Sequence, residues 1–178
     1  QVSSTPVREA LSSLTQDQLV SYYSNFGVNV ISFSPEDLRE IYSFMGDLDG
    51  LAIRYSLQSP DREKLLAEAG SILEKGRTAA AEGDADTWNF CSDEFHLVFY
   101  RYCNNSRLTE SAERLRSGIS IFSNQYSREN TIQSHIDDEH QAIFDACING
   151  NTEKAVQLMK THLDDSLKYA LEFLSEEE

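Results

Sequence analysis

Asp137-Asp138-Glu139-His140-Gln141-Ala142-Ile143-Phe144 lies inside a longer run in which apolar residues recur with helical spacing, and its histidine has two counterparts. Ser92-Asp93-Glu94-Phe95-His96 and Met159-Lys160-Thr161-His162-Leu163 place His96 and His162 in further runs of the same kind. Each run reads as an amphipathic helix. If the three helices pack together, three imidazoles can converge on one point, which is how helical bundles build metal sites. Spacing alone leaves the question open. No two of these histidines have the i,i+4 spacing of a zinc-protease helix. A histidine on a half-apolar helix also serves as an ordinary core or boundary residue.

Outward from these runs the chain is a series of helices with short breaks. Ser34-Pro35-Glu36-Asp37-Leu38 has the features of a helix start: a Ser cap, Pro in the first position and acids in the first turn. Leu38, Ile41, Tyr42, Met45, Leu48, Ala52, Tyr55 and Leu57 carry that helix until Ser59-Pro60-Asp61 stops it. Further helices are predicted over about residues 62–81, 85–103, 108–125, 129–149 and 153–174. Glu82-Gly83-Asp84, Asn104-Asn105-Ser106 and Asn149-Gly150-Asn151 separate them. Trp88, Phe95, Phe99 and Tyr102 are expected to point inward from the third of these helices. Six such helices predict an all-α antiparallel bundle over residues 34–178.

Upstream, Ser3-Ser4-Thr5-Pro6-Val7-Arg8-Glu9-Ala10-Leu11 starts a helix that should end near Thr15 or Gln16. Leu19–Tyr23 and Val28–Ile31 then read as two strands around the turn Ser24-Asn25-Phe26-Gly27. Residues 1–33 thus form a separate unit, a short helix followed by a hairpin, as in the second half of a winged helix-turn-helix. The charge divides at the same place. One Arg faces two acids up to Ser34, whereas fourteen basic residues face twenty-eight acidic ones beyond it.

The net charge of −15 disfavours contact of the bundle with nucleic acid or anionic membrane. No apolar run is long enough for a transmembrane helix, and no signal peptide is recognisable. Cys91, Cys103 and Cys147 are an odd number without CxxC spacing, which points to reduced thiols and a cytoplasmic protein. Cys103 and Cys147 each follow a histidine by seven residues and are expected to be buried packing residues.

The run Val2-Ser3-Ser4-Thr5-Pro6-Val7-Arg8-Glu9-Ala10-Leu11, with Leu19-Val20, Gly27 and Val30 after it, resembles the recognition helix and wing of the GntR family of bacterial transcription regulators. That family's usual run is V-S-R-T-P-V-R-E-A-L. Ser4 stands where the family commonly has Arg, and Gln18 where it commonly has Gly. The resemblance implies that Ser3, Ser4, Thr5 and Arg8 approach operator DNA, with Arg8 best suited to a base or phosphate contact. The first helices of that DNA-binding domain are not in this sequence, so upstream residues are expected, and this stretch alone should bind DNA poorly.

Phe95-His96, Asn105, Glu139-His140 with Ile143 and Ala146, Gly150-Asn151, Ala155, Met159 and His162-Leu163 are similar to the FCD ligand-sensing domain of the FadR-like GntR regulators. The resemblance implies a helical bundle in which an Asp and three His hold a divalent metal. Here these would be His96, His140 and His162. The metal in turn holds a small-molecule effector, in the family an organic acid. A homodimer acting on a palindromic operator is also implied. Two positions depart from the pattern. Ser92 stands where the family has its Asp ligand, so the oxygen ligand would be Asp93, Ser92 or a water. A site of three His favours Zn²⁺ or Ni²⁺. In the first bundle helix Met45 replaces an Arg that contacts the effector, and Asp49 replaces a Glu. A Met cannot pair with a carboxylate, so Met45, Asp49 and the aromatic Phe99 mark the expected effector pocket. The competing reading is a helical-bundle metalloenzyme, since Asp93-Glu94-Phe95-His96 and Asp137-Asp138-Glu139-His140 both contain Asp-x-x-His. It leaves the recognition-helix motif unexplained, and the expectation is a regulator, not an enzyme. A plain interaction module, with His135 and the other three histidines structural, is the third reading.

Overall fold

The computed structural model describes residues 4–16, 20–23, 27–127 and 130–176. Ser3, Gln18 and Leu19 lie outside the described residues, as does the side chain of Ser4. Helix α1 (Ser4–Gln16) leads into strands β1 (Val20–Tyr23) and β2 (Gly27–Val30). Helices α2 (Pro35–Leu57), α3 (Arg62–Glu82), α4 (Ala85–Tyr102), α5 (Ser106–Tyr126), α6 (Asn130–Ile148) and α7 (Thr152–Glu176) follow. The six helices expected after residue 34 are these last six.

β1 and β2 pair antiparallel, with Val20 opposite Val30 and Tyr23 opposite Gly27. Helix α1 is amphipathic in sequence, yet its Val7 and Leu14 are exposed. The bundle's boundaries follow from local chemistry. Ser34 caps α2 by accepting from the Asp37 amide, while the Asp37 carboxylate accepts back from the Ser34 amide. Asp84 and Asn105 cap α4 and α5 by accepting from Thr87 N and Leu108 N. Asn151 does the same for α7 through Lys154 N. Such caps satisfy amide groups that the first turn leaves unpaired, at about 1 kcal/mol each. Gly83 and Gly150 end α3 and α6 with φ of +72° and +70°, a left-handed conformation open to glycine at little cost.

The apolar stripes meet in two main clusters. One gathers Leu48, Ile53, Leu65, Leu73, Phe95, Phe99, Ile143 and Met159 from α2, α3, α4, α6 and α7. The other gathers Leu38, Tyr42, Met45, Ile119, Tyr126 and Leu163 from α2, α5 and α7. Each fully buried large side chain contributes about 1.5–3 kcal/mol relative to exposure. Trp88, Phe95 and Phe99 are buried, as their positions on α4 predict. Tyr102 differs. It is half-buried and its hydroxyl donates to Glu68 Oε2 at 2.8 Å, so its polar tip reaches the surface. Cys91, Cys103 and Cys147 are free and buried.

Between β2 and α2 the chain is held against α5. Phe33 packs edge-on to Phe122, with ring centroids 5.7 Å apart. At Gly118 a Cβ would stand 3.2 Å from Ile31 Cδ1 and 3.4 Å from Phe33 Cζ. No helix among the described residues is long and apolar enough to cross a membrane.

Candidate metal centre and the adjoining cavity

Helices α4, α6 and α7 each contribute one imidazole to a common point. His96 lies on the inward face of α4 between Phe95 and Phe99, so the aromatic stripe that buries the helix also buries the ring. His140 stacks on Phe95, with centroids 4.5 Å apart and planes at 30°. His162 is flanked on α7 by buried Met159 and Ser166. The three residues are 5%, 1% and 3% exposed. The Nε2 atoms of His140 and His162 are 3.2 Å apart, and one ring nitrogen from each histidine lies within 4.8 Å of the others.

Two carboxylates orient this cluster. Asp49 Oδ2 is 2.9 Å from His96 Nδ1, and Glu139 Oε2 is 2.8 Å from His162 Nδ1. An ionised carboxylate only accepts. The proton of each ring therefore sits on Nδ1, and each Nε2 carries a lone pair. Metal-binding histidines are commonly held this way, with the far nitrogen donating to a carboxylate.

Asp49 is the hub of a buried polar group. Tyr100 Oη donates to Asp49 Oδ1, and the Arg116 guanidinium donates to Asp49 Oδ2. Burial opposes ionisation of Asp49, but the charge of Arg116 and hydrogen bonds from His96 and Arg116 overcome it and hold the carboxyl well below its usual range. Burial and the charge of Arg116 push His96 down to about 3, against the raising effect of Asp49. Burial, with His162 and His96 beside it, also pushes His140 well down. Both rings are thus neutral at pH 7, the state in which imidazole binds metal.

The donor set fits a divalent cation of the zinc type. A tetrahedral zinc with Zn–N bonds of 2.0–2.1 Å holds its nitrogens about 3.3 Å apart. The His140–His162 separation of 3.2 Å is that size. Ser92 and Asp93, the positions considered for an oxygen ligand, line the cavity beside the cluster. The Asp93 carboxylate accepts from Ser120 Oγ on α5 and is not one of the converging groups. Asp137 likewise accepts from Trp88 Nε1, at 3.0 Å. The two Asp-x-x-His segments therefore do not form a matched pair of carboxylate–histidine ligands.

The cavity has a volume of about 60 Å³, room for a few waters or a small polar group. Asn89, Ser92, His96, Arg116, Ser127 and His162 are among its walls. Arg116 Nε is the one buried side-chain nitrogen or oxygen among the described residues without a hydrogen-bond partner. The sequence places the expected effector pocket at Met45, Asp49 and Phe99. None of them lines this cavity. Met45 and Phe99 fill the two apolar clusters, because a buried thioether and phenyl pack best against other apolar groups. Asp49 acts from behind, through His96 and Arg116.

Arg116, Tyr100 and the role of Glu139 were not anticipated. Arg116 did carry a signal. Leu108, Ala112, Arg116 and Ile119 follow one buried stripe of α5, so a charge sits where an apolar residue is expected. At the other end of the chain, Thr5 and Arg8 are exposed on α1.

The fold and site define a helical bundle with a buried three-histidine centre, preceded by a helix-and-hairpin unit. The chain belongs to the FCD domain family, which it matches over residues 40–165, and to the GntR-type regulators that carry that domain. It is 25% identical over 165 residues to the HTH-type transcriptional repressor GlaR of Escherichia coli K12, covering 89% of this chain and 75% of that protein. It is 26% identical to the uncharacterized HTH-type transcriptional regulator YdhC of Bacillus subtilis 168, covering 96% and 78%. Among solved structures, a putative GntR transcriptional regulator from Rhodococcus sp. RHA1 superposes with a TM-score of 0.80 at 26% identity, covering 96% of this chain and 81% of that one. The fold of E. coli McbR/YncC is also similar, with a TM-score of 0.82 at 21% identity, covering 97% and 87%.

Proposed function

We propose that this chain is the sensing part of a cytoplasmic, homodimeric transcription regulator, and that His96, His140 and His162 hold a divalent cation, Zn²⁺ or Ni²⁺, beside a small-molecule effector. The convergence of three buried imidazole nitrogens within 4.8 Å, two of them with a carboxylate on Nδ1, carries this reading. When bound, the metal supplies Lewis-acid attraction for an oxygen of the effector. The residues of the chain supply the rest. Asp49 and Glu139 fix the ring orientations, and Arg116, whose Nε–H is buried without a partner, brings a guanidinium to the cavity wall that suits an acceptor atom such as a carboxylate oxygen. Arg116 thereby provides, from α5, the cation that Met45 cannot provide from α2. The exposed Thr5 and Arg8, with Ser3 and Ser4 before them, would approach operator DNA.

Binding of this kind is not catalysis. The relatives are transcription regulators rather than enzymes, and the carboxylate–histidine pairs that an oxidising bundle needs do not assemble here.

Metal content tests the proposal. Purified wild-type protein should retain about one equivalent of Zn²⁺ or Ni²⁺ through dialysis, and His140→Ala and His96→Gln should each lose it while keeping a helical circular-dichroism spectrum. A wild-type protein that holds no metal after incubation with either ion would overturn it.

A further inference from the structure

A second set of metal-ligating groups lies on the outer side of α6 and α7. His135 and Glu139 are one turn apart on α6, and Asp165 lies on α7, three residues after His162. One ligand atom from each of the three lies within 4.8 Å of the others. His135 Nε2 is 3.3 Å from Glu139 Oε1. The other oxygen of the same carboxylate, Oε2, holds His162 Nδ1 at 2.8 Å. Glu139 therefore stands between the inner centre and this outer group, with one oxygen turned to each.

We propose that His135, Glu139 and Asp165 form a second, outer site for a divalent cation, linked to the inner three-histidine centre through the Glu139 carboxylate. Two carboxylates and an imidazole that converge repel one another or face lone pair to lone pair unless a cation or a proton lies between them. The cation at hand in this structure is Lys168, whose Nζ is 2.5 Å from Asp165 Oδ1. It engages one carboxylate, and its side chain is 70% exposed. A divalent ion would engage all three groups and displace Lys168 from Asp165. The set is one nitrogen and two carboxylates, with open positions for water. That mixture suits Zn²⁺ and related first-row ions. His135 is half exposed, so the site is open to ions from solvent, whereas the inner centre is closed in by α4, α6 and α7. Occupancy of the outer site draws electron density from Glu139, and with it from the Nδ1–H of His162. The two sites are therefore coupled in affinity.

Zn²⁺ titration of chelator-treated full chain, followed by calorimetry and by metal content after gel filtration, tests this. Wild type should take up two equivalents in two classes. His135→Ala and Asp165→Asn should lose the weaker class and keep the tighter one, and His140→Ala should do the reverse. Glu139→Gln should abolish the outer class and weaken the inner one about 10–100-fold. Lys168→Met should tighten the outer class about two- to fivefold by removing its competitor. Uptake of a single equivalent by wild type that His140→Ala abolishes would leave the inner centre standing and overturn the outer one. A single equivalent abolished by His135→Ala but not by His140→Ala would do the opposite. Two equivalents left unchanged in His135→Ala and Asp165→Asn would also overturn the outer site.

Discussion

Asp49→Asn is the sharpest test of how the centre is held. The substitution keeps the size of the side chain and removes its charge. In the folded protein Asp49 and Arg116 are 2% and 7% exposed, so the guanidinium loses its direct counter-ion while it stays buried. The new amide also replaces one acceptor oxygen with an NH₂ group, which then faces either the Tyr100 hydroxyl or the donors of His96 and Arg116, where the carboxylate accepted from all three. Breaking a buried ion pair by removing one partner costs about 3–5 kcal/mol. Asp93 also lies close enough to attract Arg116, so the expected loss is at the low end, about 3 kcal/mol. For a chain of this size that is a fall in Tm of about 6–12 °C. With a slope of about 2–3 kcal/mol per molar urea, the midpoint falls by about 1–1.5 M. Urea unfolding at pH 7 in the presence of chelator separates this loss from any loss of metal. Arg116→Met in the Asp49→Asn background should recover part of it, because the uncompensated charge is gone. A single variant within about 0.5 kcal/mol of wild type would refute the reasoning. Asp49 would then not be the ionised partner of Arg116.

Two further outcomes follow from the same geometry. His96 is pushed down to about 3 and His140 also well down, whereas unfolded histidine titrates near 6.5. Below about pH 6.5 the unfolded chain binds more protons, so their contribution is full above that pH and is lost as the pH falls, for His96 toward about 3. Each adds up to about 1.4 kcal/mol per pH unit to the slope. Burial pushes the Asp93 and Asp137 carboxyls up, which acts in the opposite sense at the acid end, where stability falls as the pH rises through their folded values. The metal-free urea midpoint should therefore drop between pH 7 and pH 5, and drop less in His140→Phe; equal midpoints at the two pH values would contradict the buried neutral rings. Gly76→Ala and Gly118→Ala should differ in stability. At Gly76 the added Cβ would meet Cys91 Cβ at 3.2 Å, an atom fixed to the main chain, whereas at Gly118 its nearest neighbour is Ile31 Cδ1, the end of a flexible side chain. Gly118→Ala should keep most of the gain of about 1 kcal/mol in helix propensity, and Gly76→Ala should melt about 2–4 °C lower than Gly118→Ala. Equal melting temperatures would show that α3 and α4 yield at Gly76.

Much of the fold is written in local signals. Ser34-Pro35, Asp84, Asn105 and Asn151 mark helix starts because an unpaired amide needs a nearby acceptor, and that need is satisfied within four residues. The three histidines are legible as inward positions for a similar reason, since each sits on the buried stripe of its own helix, but it is the family resemblance that groups them. Their partners are not legible. Glu139 is visible beside His140, but its oxygen serves His162, on the next helix. Asp49 serves His96, Tyr100 and Arg116 across the bundle. Such pairings depend on how helices rotate against one another, and helical periodicity in a single run carries no information on that. The pocket expected at Met45 and Phe99 and the cavity observed differ on this point. Position along α2 and α4 was right for an inward residue, but the bundle turns both side chains into apolar clusters and leaves the polar cavity to Arg116, Ser92 and Asn89.

Helix α5 joins the cavity to the segment that follows the hairpin. Arg116 and Ile119 face the cavity, Ser120 holds the Asp93 carboxylate, and Gly118 and Phe122 support Ile31 and Phe33 just beyond β2. A ligand shifts an equilibrium only by the difference in its affinity for the two arrangements, and a tenfold difference is about 1.4 kcal/mol. Arg116 is a place where such a difference can arise. Its Nε–H is unpaired and buried, which costs about 1–3 kcal/mol, and an acceptor in the cavity recovers that cost only in an arrangement of α5 that brings the two within hydrogen-bond reach. A helix held by packing on both sides moves as a body rather than bending locally. On the proposed function, a small displacement of Arg116 toward a ligand would carry Gly118 and Phe122 with it, and with them the seat of Ile31 and Phe33. The contacts that would link the proposed centre to the segment after β2 span the six residues from Arg116 to Phe122.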